Sequence, residues 1–193
     1  MAKTNIGFAM CGSFCTFSKA LPQIENLVKD DYNVIPIMSD TAYSTDTRFG
    51  KAADFINKLT EITGNKVLHT ISDTEPLGPK KICDLLVVAP CTGNTLAKLS
   101  HAVTDTSVTM AVKSHLRIQR PVLLCLATND GLGATAQNIG RLLNTKNIYF
   151  VPLSQDDYVN KPNSLVAHFN LIPECVKEAL KGKQSQPIFL SNK

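Results

Sequence analysis

Two kinds of apolar run alternate along the chain. Residues 5–10 (Asn-Ile-Gly-Phe-Ala-Met), 34–38, 82–89 and 121–126 are short and apolar almost throughout. Uninterrupted runs of this length are how strands covered on both faces read, as in a parallel sheet. Between them the apolar residues recur three and four apart. In 16–29 they are Phe17, Ala20, Leu21, Ile24, Leu27 and Val28, the spacing of one helix face. The same spacing predicts helices over 47–62, closed by Gly64, then for about two turns from Asn94, and over 107–118, 134–144 and 172–181. Residues 67–69 read as a short third strand and 148–151 as the last one.

Strand followed by helix, repeated, predicts right-handed βαβ crossovers. The expected fold is α/β, a single doubly wound, Rossmann-like domain with a mostly parallel sheet. No repeat, low-complexity tract or linker divides the 193 residues. The domain is therefore expected to span 1–193. Its core lies at about 5–151, a polar loop and C-terminal helix at 152–181, and a mobile tail at 182–193. In that tail Ile188-Phe189-Leu190 could dock on a neighbour.

Composition narrows the function classes. The formal charge of +4 is mild, and its Lys and Arg residues are scattered, which argues against nucleic acid. No positively charged start leads into an apolar leader, and no apolar run reaches the roughly 20 residues of a membrane span. The expected location is the cytoplasm. The six cysteines, Cys11, Cys15, Cys83, Cys91, Cys125 and Cys175, show no C-x₂-C or His/Cys pairing. Neither a metal nor a disulfide is expected, and the thiols beside apolar runs read as small buried hydrophobes.

The chemistry gathers at the ends of the predicted strands. Cys11-Gly12-Ser13 follows the first and Ser39-Asp40-Thr41 the second. Pro90-Cys91-Thr92-Gly93-Asn94-Thr95 follows the central strand, and Ala127-Thr128-Asn129 the fifth. In a doubly wound sheet these ends share one edge, so the groups can line one crevice. They offer hydroxyls, amides and helix N-termini without a Lys or Arg clamp. That inventory suits one phosphate plus neutral hydrogen-bonding edges, hence a mononucleotide-like cofactor. The first turn has one glycine, not the three of the dinucleotide fingerprint.

Pro90 to Thr95, with Leu96-Ala97-Lys98 and Asp105 behind it, resembles the flavoprotein superfamily of homo-oligomeric flavin-containing cysteine decarboxylases and prenyl-flavin synthases. Its members carry Pro-Ala-Ser-Ala-Asn-Thr here; Gly12-Ser13 and Ser39 match their other flavin-contacting turns. The resemblance covers about residues 5–151 and implies a flavoprotein-type fold binding FMN. It implies cofactor contacts from Gly12, Ser13, Ser39, Thr41, Pro90, Thr92, Asn94, Thr95 and Thr128. It also implies a homo-oligomer built from trimers, with the flavin at a subunit interface.

Within the superfamily, residues 71–78 and the run from Gln155 to Ala167 resemble the branch that serves dipicolinate formation. That implies a small dicarboxylate substrate, a second, nicotinamide-binding partner subunit, and work in the mother cell of a sporulating bacterium. His69 falls where the decarboxylases place their catalytic His, and Asn129 survives from their Pro-Ala-Met-Asn motif. These two are the catalytic candidates. A lone His is otherwise most often structural, but its titration range suits proton transfer. The Met and Trp positions after Leu126 are absent, which tells against cysteine decarboxylation. Two other readings stay open: a scaffold subunit with a vestigial flavin site, and a flavin-dependent decarboxylase. The substrate's carboxylates want a cation, with Arg48, Lys98 and Lys113 the choices.

Overall fold

In the computed structural model, which describes residues 3–191, the apolar runs become the middle of one seven-stranded sheet. In chain order the elements are β1 (Asn5–Met10), α1 (Phe17–Lys29), β2 (Asn33–Met38), α2 (Asp40–Ser44), α3 (Ala52–Thr63) and α4 (Ile71–Thr74). Then come β3 (Leu85–Cys91), α5 (Gly93–Ser100), α6 (Ser107–Arg117), β4 (Val122–Thr128), α7 (Ala136–Leu143) and β5 (Ile148–Phe150). The last are β6 (Leu153–Ser154), β7 (Leu165–Ala167) and α8 (Ile172–Leu180).

Strands β2, β1, β3 and β4 lie side by side, all parallel. Every residue of β3 is buried, as its unbroken apolar sequence requires of a central strand with helices on both faces. The doubly wound, mostly parallel α/β expectation therefore stands.

Four local expectations need correction. Pro90 does not end the central strand, which continues to Cys91 through a cis Ala89–Pro90 bond. Proline has no N–H for the ladder, so the register with β4 shifts between Val88 and Cys91, while the Pro90 carbonyl accepts from Cys11 N at 3.2 Å. The helix expected over 47–62 starts five residues late, as α3 at Ala52, and a separate short helix, α2, precedes it at Asp40–Ser44. A tight turn pairs Thr47 with Gly50, and the Asp46 carboxylate accepts from Ala52 N at 2.8 Å, so α3 starts afresh. The strand expected at 67–69 shrinks to one bridge between Leu68 and Ile37.

The fourth correction matters most. The segment after β5 rejoins the sheet. β7 pairs antiparallel with the end of β4, Ala127 with Val166 and Thr128 with Leu165, and β6 pairs with β7. Beyond α8, Leu153 N donates to Ile188 O at 2.8 Å and Leu190 N to Leu153 O at 2.9 Å. Of the tail expected to be mobile, residues 188–190 thus lie along β6 of the same chain, and Asn192 and Lys193 fall outside the described residues.

Candidate functional site

Three helices begin around one hollow at the carboxyl edge of the sheet. Ser39 caps α2, its hydroxyl accepting from Ala42 N at 3.3 Å. Thr92 caps α5 and Thr106 caps α6 in the same way, through Thr95 N at 3.2 Å and Thr109 N at 3.1 Å. Each is a Ser or Thr three residues ahead of the amide it satisfies, the commonest way a helix start is closed. The hollow, of about 270 Å³, is lined by Cys11, Gly12, Ser39, Thr41, Thr92, Asn94, Thr95, Lys98 and Thr106.

The floor is a chain of hydrogen bonds. Thr92 Oγ1 donates to Thr95 Oγ1 at 3.1 Å, and Thr95 Oγ1 donates to Cys11 Sγ at 3.3 Å. Both hydroxyl protons are thereby turned inward. Among the described residues the N–H groups of Gly93 and Asn94, in the first turn of α5, have no internal partner, and the Thr41 hydroxyl and Asn94 side-chain amide lining the hollow are free to donate as well. With the Lys98 ammonium, bound to Asp105 at 2.8 Å, they make a hollow suited to an anion. Burial pushes the Cys11 thiol up to about 11, so it is held as a neutral thiol.

Of the nine residues expected to hold a cofactor, Gly12, Ser39, Thr41, Thr92, Asn94 and Thr95 meet here. Ser13 faces its own turn, its hydroxyl accepting from Thr16 Oγ1 at 3.2 Å. Pro90 is buried in β3. Thr128 packs behind α5, where a Cβ on Gly93 would come within 2.7 Å of its Oγ1. Asn129 is exposed beyond it. Cys11, Lys98 and Thr106 also line the hollow, although the sequence reading did not assign them to the cofactor. Thr106 was findable, since Thr-x-x-Thr ahead of an apolar run is a capping signature.

His69 does not line this hollow. Its ring stacks on Tyr43, centroids 3.7 Å apart and planes 6° from parallel. Its Nδ1 is sealed from solvent, 3.8 Å from Asp73 Oδ2, although the side chain as a whole is 30% exposed. Asp73 is held below the usual carboxylate range, chiefly by its hydrogen bond from Thr70 and against its partial burial. The neighbouring bowl is lined by Asp40, Thr70, Ile71, Ser72 and Glu75. Asp40 lines the bowl while Ser39 and Thr41 line the hollow, so the two flank the first turn of α2. Among the described residues no group of three His, Cys, Asp or Glu could hold a metal ion. No helix of those residues is long and apolar enough to cross a membrane.

Comparison with known proteins agrees with this architecture. The chain is 46% identical over 187 residues to the B subunit of dipicolinate synthase from Bacillus subtilis (strain 168), spanning 97% of this chain and 94% of that one. It superposes on the crystal structure of the B subunit of dipicolinate synthase from Bacillus halodurans with a TM-score of 0.91 and 43% identity, covering 100% of this chain and 98% of that one. The FMN complex of Burkholderia xenovorans DmrB, described as a cubic protein cage for redox transfer, shares the fold at 15% identity and a TM-score of 0.70, covering 93% of this chain and 96% of that one. A family model described as Flavoprotein matches residues 1–180, so the resemblance first carried by Pro90 to Thr95 holds along nearly the whole sequence and the chain belongs to the flavoprotein family.

Proposed function

We propose that this chain is an FMN-binding subunit that helps form dipicolinate from a dihydrodipicolinate-type precursor, paired in dipicolinate synthase with the nicotinamide-binding A subunit. The observation that carries the reading is the meeting of three helix starts and the Gly12 turn around one hollow. The high identity to the B subunit of dipicolinate synthase supports the choice of product and partner.

The residues present fit the phosphate end of FMN. Gly93 and Asn94 N–H and the Lys98 ammonium supply donors and positive charge, while Ser39, Thr41 and Thr92 supply hydroxyl oxygens. At about 270 Å³ the hollow is smaller than the roughly 300–1,000 Å³ that encloses a drug-sized ligand. It would therefore take the phosphate and ribityl portion, leaving the ring to be enclosed by residues outside the hollow. A homo-oligomer built from trimers fits that need. When bound, FMN supplies a two-electron acceptor.

The chain's own contribution is proton handling and placement. His69, with Nδ1 sealed and its other edge open, is the acid/base candidate. Thr128 and Asn129 border the substrate side. The bowl beside His69 carries Asp40 and Glu75 and no cation, so a dicarboxylate draws its counter-charge from outside that bowl. Arg48, Lys98 and Lys113 are the candidates on this chain. The cytoplasm of a sporulating mother cell is the proposed location.

The visible spectrum of the purified chain, with and without added FMN, tests the cofactor. Retained yellow colour after desalting is expected, and a chain that stays colourless in excess FMN would sink the reading. In the assembled two-subunit enzyme, His69→Ala is expected to lower dipicolinate output by about 100-fold or more. Full output from that variant would remove His69 from the chemistry.

A further inference from the structure

Reading His69 as the acid/base leaves one neighbour unexplained, the ring lying flat against it. Resting on that reading, we propose that Tyr43 is a positioning residue. Its ring clamps the His69 imidazole from one face, and one helical turn ties that clamp to the anion hollow.

Both partners hang from the end of β2. Tyr43 sits in α2, directly after that strand, and its N–H donates to Ser39 O at 2.9 Å. Ser39 is itself fixed by donating its N–H to Met10 O at 3.0 Å, at the end of β1. From the other side Leu68 is laced to β2, its N–H donating to Pro36 O at 2.9 Å and its carbonyl accepting from Met38 N at 2.9 Å. His69, the next residue, is thereby delivered on to the Tyr43 face.

The ring is held in two ways. Tyr43 fixes its plane, at 6° from parallel. Asp73 Oδ2 fixes its backbone, accepting from His69 N at 3.3 Å and Thr70 N at 3.1 Å, and lies 3.8 Å from Nδ1. Nδ1 is sealed and the side chain is part-exposed, so Nε2 is the nitrogen that meets a ligand. Ser39 and Thr41 line the hollow while Tyr43 holds the imidazole, so whatever occupies the hollow bears on the ring through a single turn of α2.

The test uses the full chain labelled in its four histidines. Imidazole correlation spectra are recorded with and without FMN, His69 being assigned from His69→Gln. The His69 ring protons are expected upfield in the wild type and in Tyr43→Phe, at the unstacked position in Tyr43→Leu, and displaced by FMN only when the stack is present. In the assembled enzyme Tyr43→Leu is expected to lower kcat by about 10- to 100-fold with KM unchanged, the cost of a mispositioned catalytic group, and Tyr43→Phe to restore it.

An unshifted wild-type resonance would overturn the proposal even if Tyr43→Leu failed to fold. So would a Tyr43→Leu enzyme with wild-type kcat, or a Tyr43→Phe enzyme as slow as Tyr43→Leu. Loss of output in His69→Ala alongside full output in Tyr43→Leu would leave the acid/base reading standing and remove only the clamp. Full output in His69→Ala would remove both.

Discussion

Thr95 donates its hydroxyl proton to Cys11 Sγ across 3.3 Å and so ties the first turn of α5 to the end of β1. Two strand ends that are far apart in sequence are joined under the anion hollow by this bond and by the one from Cys11 N to Pro90 O at 3.2 Å. Thr95→Val keeps the shape and removes the donor. It also strips Thr92 Oγ1 of its acceptor. A loss of about 1 to 3 kcal/mol is expected in denaturant unfolding, with weaker FMN retention on desalting.

The six cysteines are predicted to divide sharply in reactivity. Cys15 is exposed, while Cys11, Cys83, Cys91, Cys125 and Cys175 are buried. Burial pushes Cys11 to about 11 and Cys83 to about 12, and holds Cys91 and Cys125 above their ordinary range. An aromatic disulfide reagent at neutral pH is expected to titrate one thiol rapidly in the native chain and all six in denaturant. Cys15→Ser is expected to abolish the fast one.

Acid sensitivity is assigned to His115. It lies in α6, 1% exposed, with both ring nitrogens sealed from solvent. Burial, then the nearby Arg120 charge, lower it from 6.5 to about 4. Because the folded state holds it neutral, its contribution is complete above 6.5. As pH falls towards about 4 the unfolded chain takes up the proton first, and stability is lost over that window. The loss amounts to about 3 kcal/mol at most. The unfolding midpoint of the wild type is expected to fall further between pH 7 and pH 5 than that of His115→Phe.

Gly78 is predicted to accept no side chain. A Cβ there would run into the Ser114 carbonyl oxygen. Gly78 N also donates to Ser114 Oγ at 2.8 Å, and that hydroxyl donates to Glu75 O at 2.5 Å. Alanine must push the 75–78 turn off α6. Gly78→Ala is expected to destabilise by about 3 kcal/mol, read as a lowered Tm, whereas Gly64→Ala meets no atom within 4 Å and pays only for its left-handed φ of 67°.

The strands of the parallel core were legible because β1 to β4 are buried on both faces and spell it out residue by residue. The turns were legible because Gly12, Ser39, Thr92 and Asn94 stand where such strands stop. The antiparallel extension was not. With two and three residues, β6 and β7 are too short to carry any period, and only pairing with Ala127 and Thr128 makes them strands. The late start of α3 was hidden because Thr47 to Gly50 is a turn set by Asp46 and backbone pairing rather than by proline. The stack of Tyr43 on His69 left no trace in sequence, since it is made by how Leu68 is laced to β2.

The short bridges at the two flanks of the sheet decide how this molecule can meet others. At one flank Leu68 and the Asn65 side chain, which donates to Val34 O at 2.8 Å, occupy the outer backbone of β2. At the other, Ile188 and Leu190 occupy that of β6, and beside it the Gln184 side chain covers Phe150 of β5, accepting from its N–H at 2.8 Å and donating to its carbonyl at 2.7 Å. An exposed strand edge is a template for another chain, and here the protein covers its edge strands with its own backbone and amide side chains. Association with further copies, or with a different protein, is left to the helical faces and loops. A chain cut after Lys181 would uncover β6 and is expected to recruit strands from its neighbours, giving open-ended aggregates in place of a closed assembly.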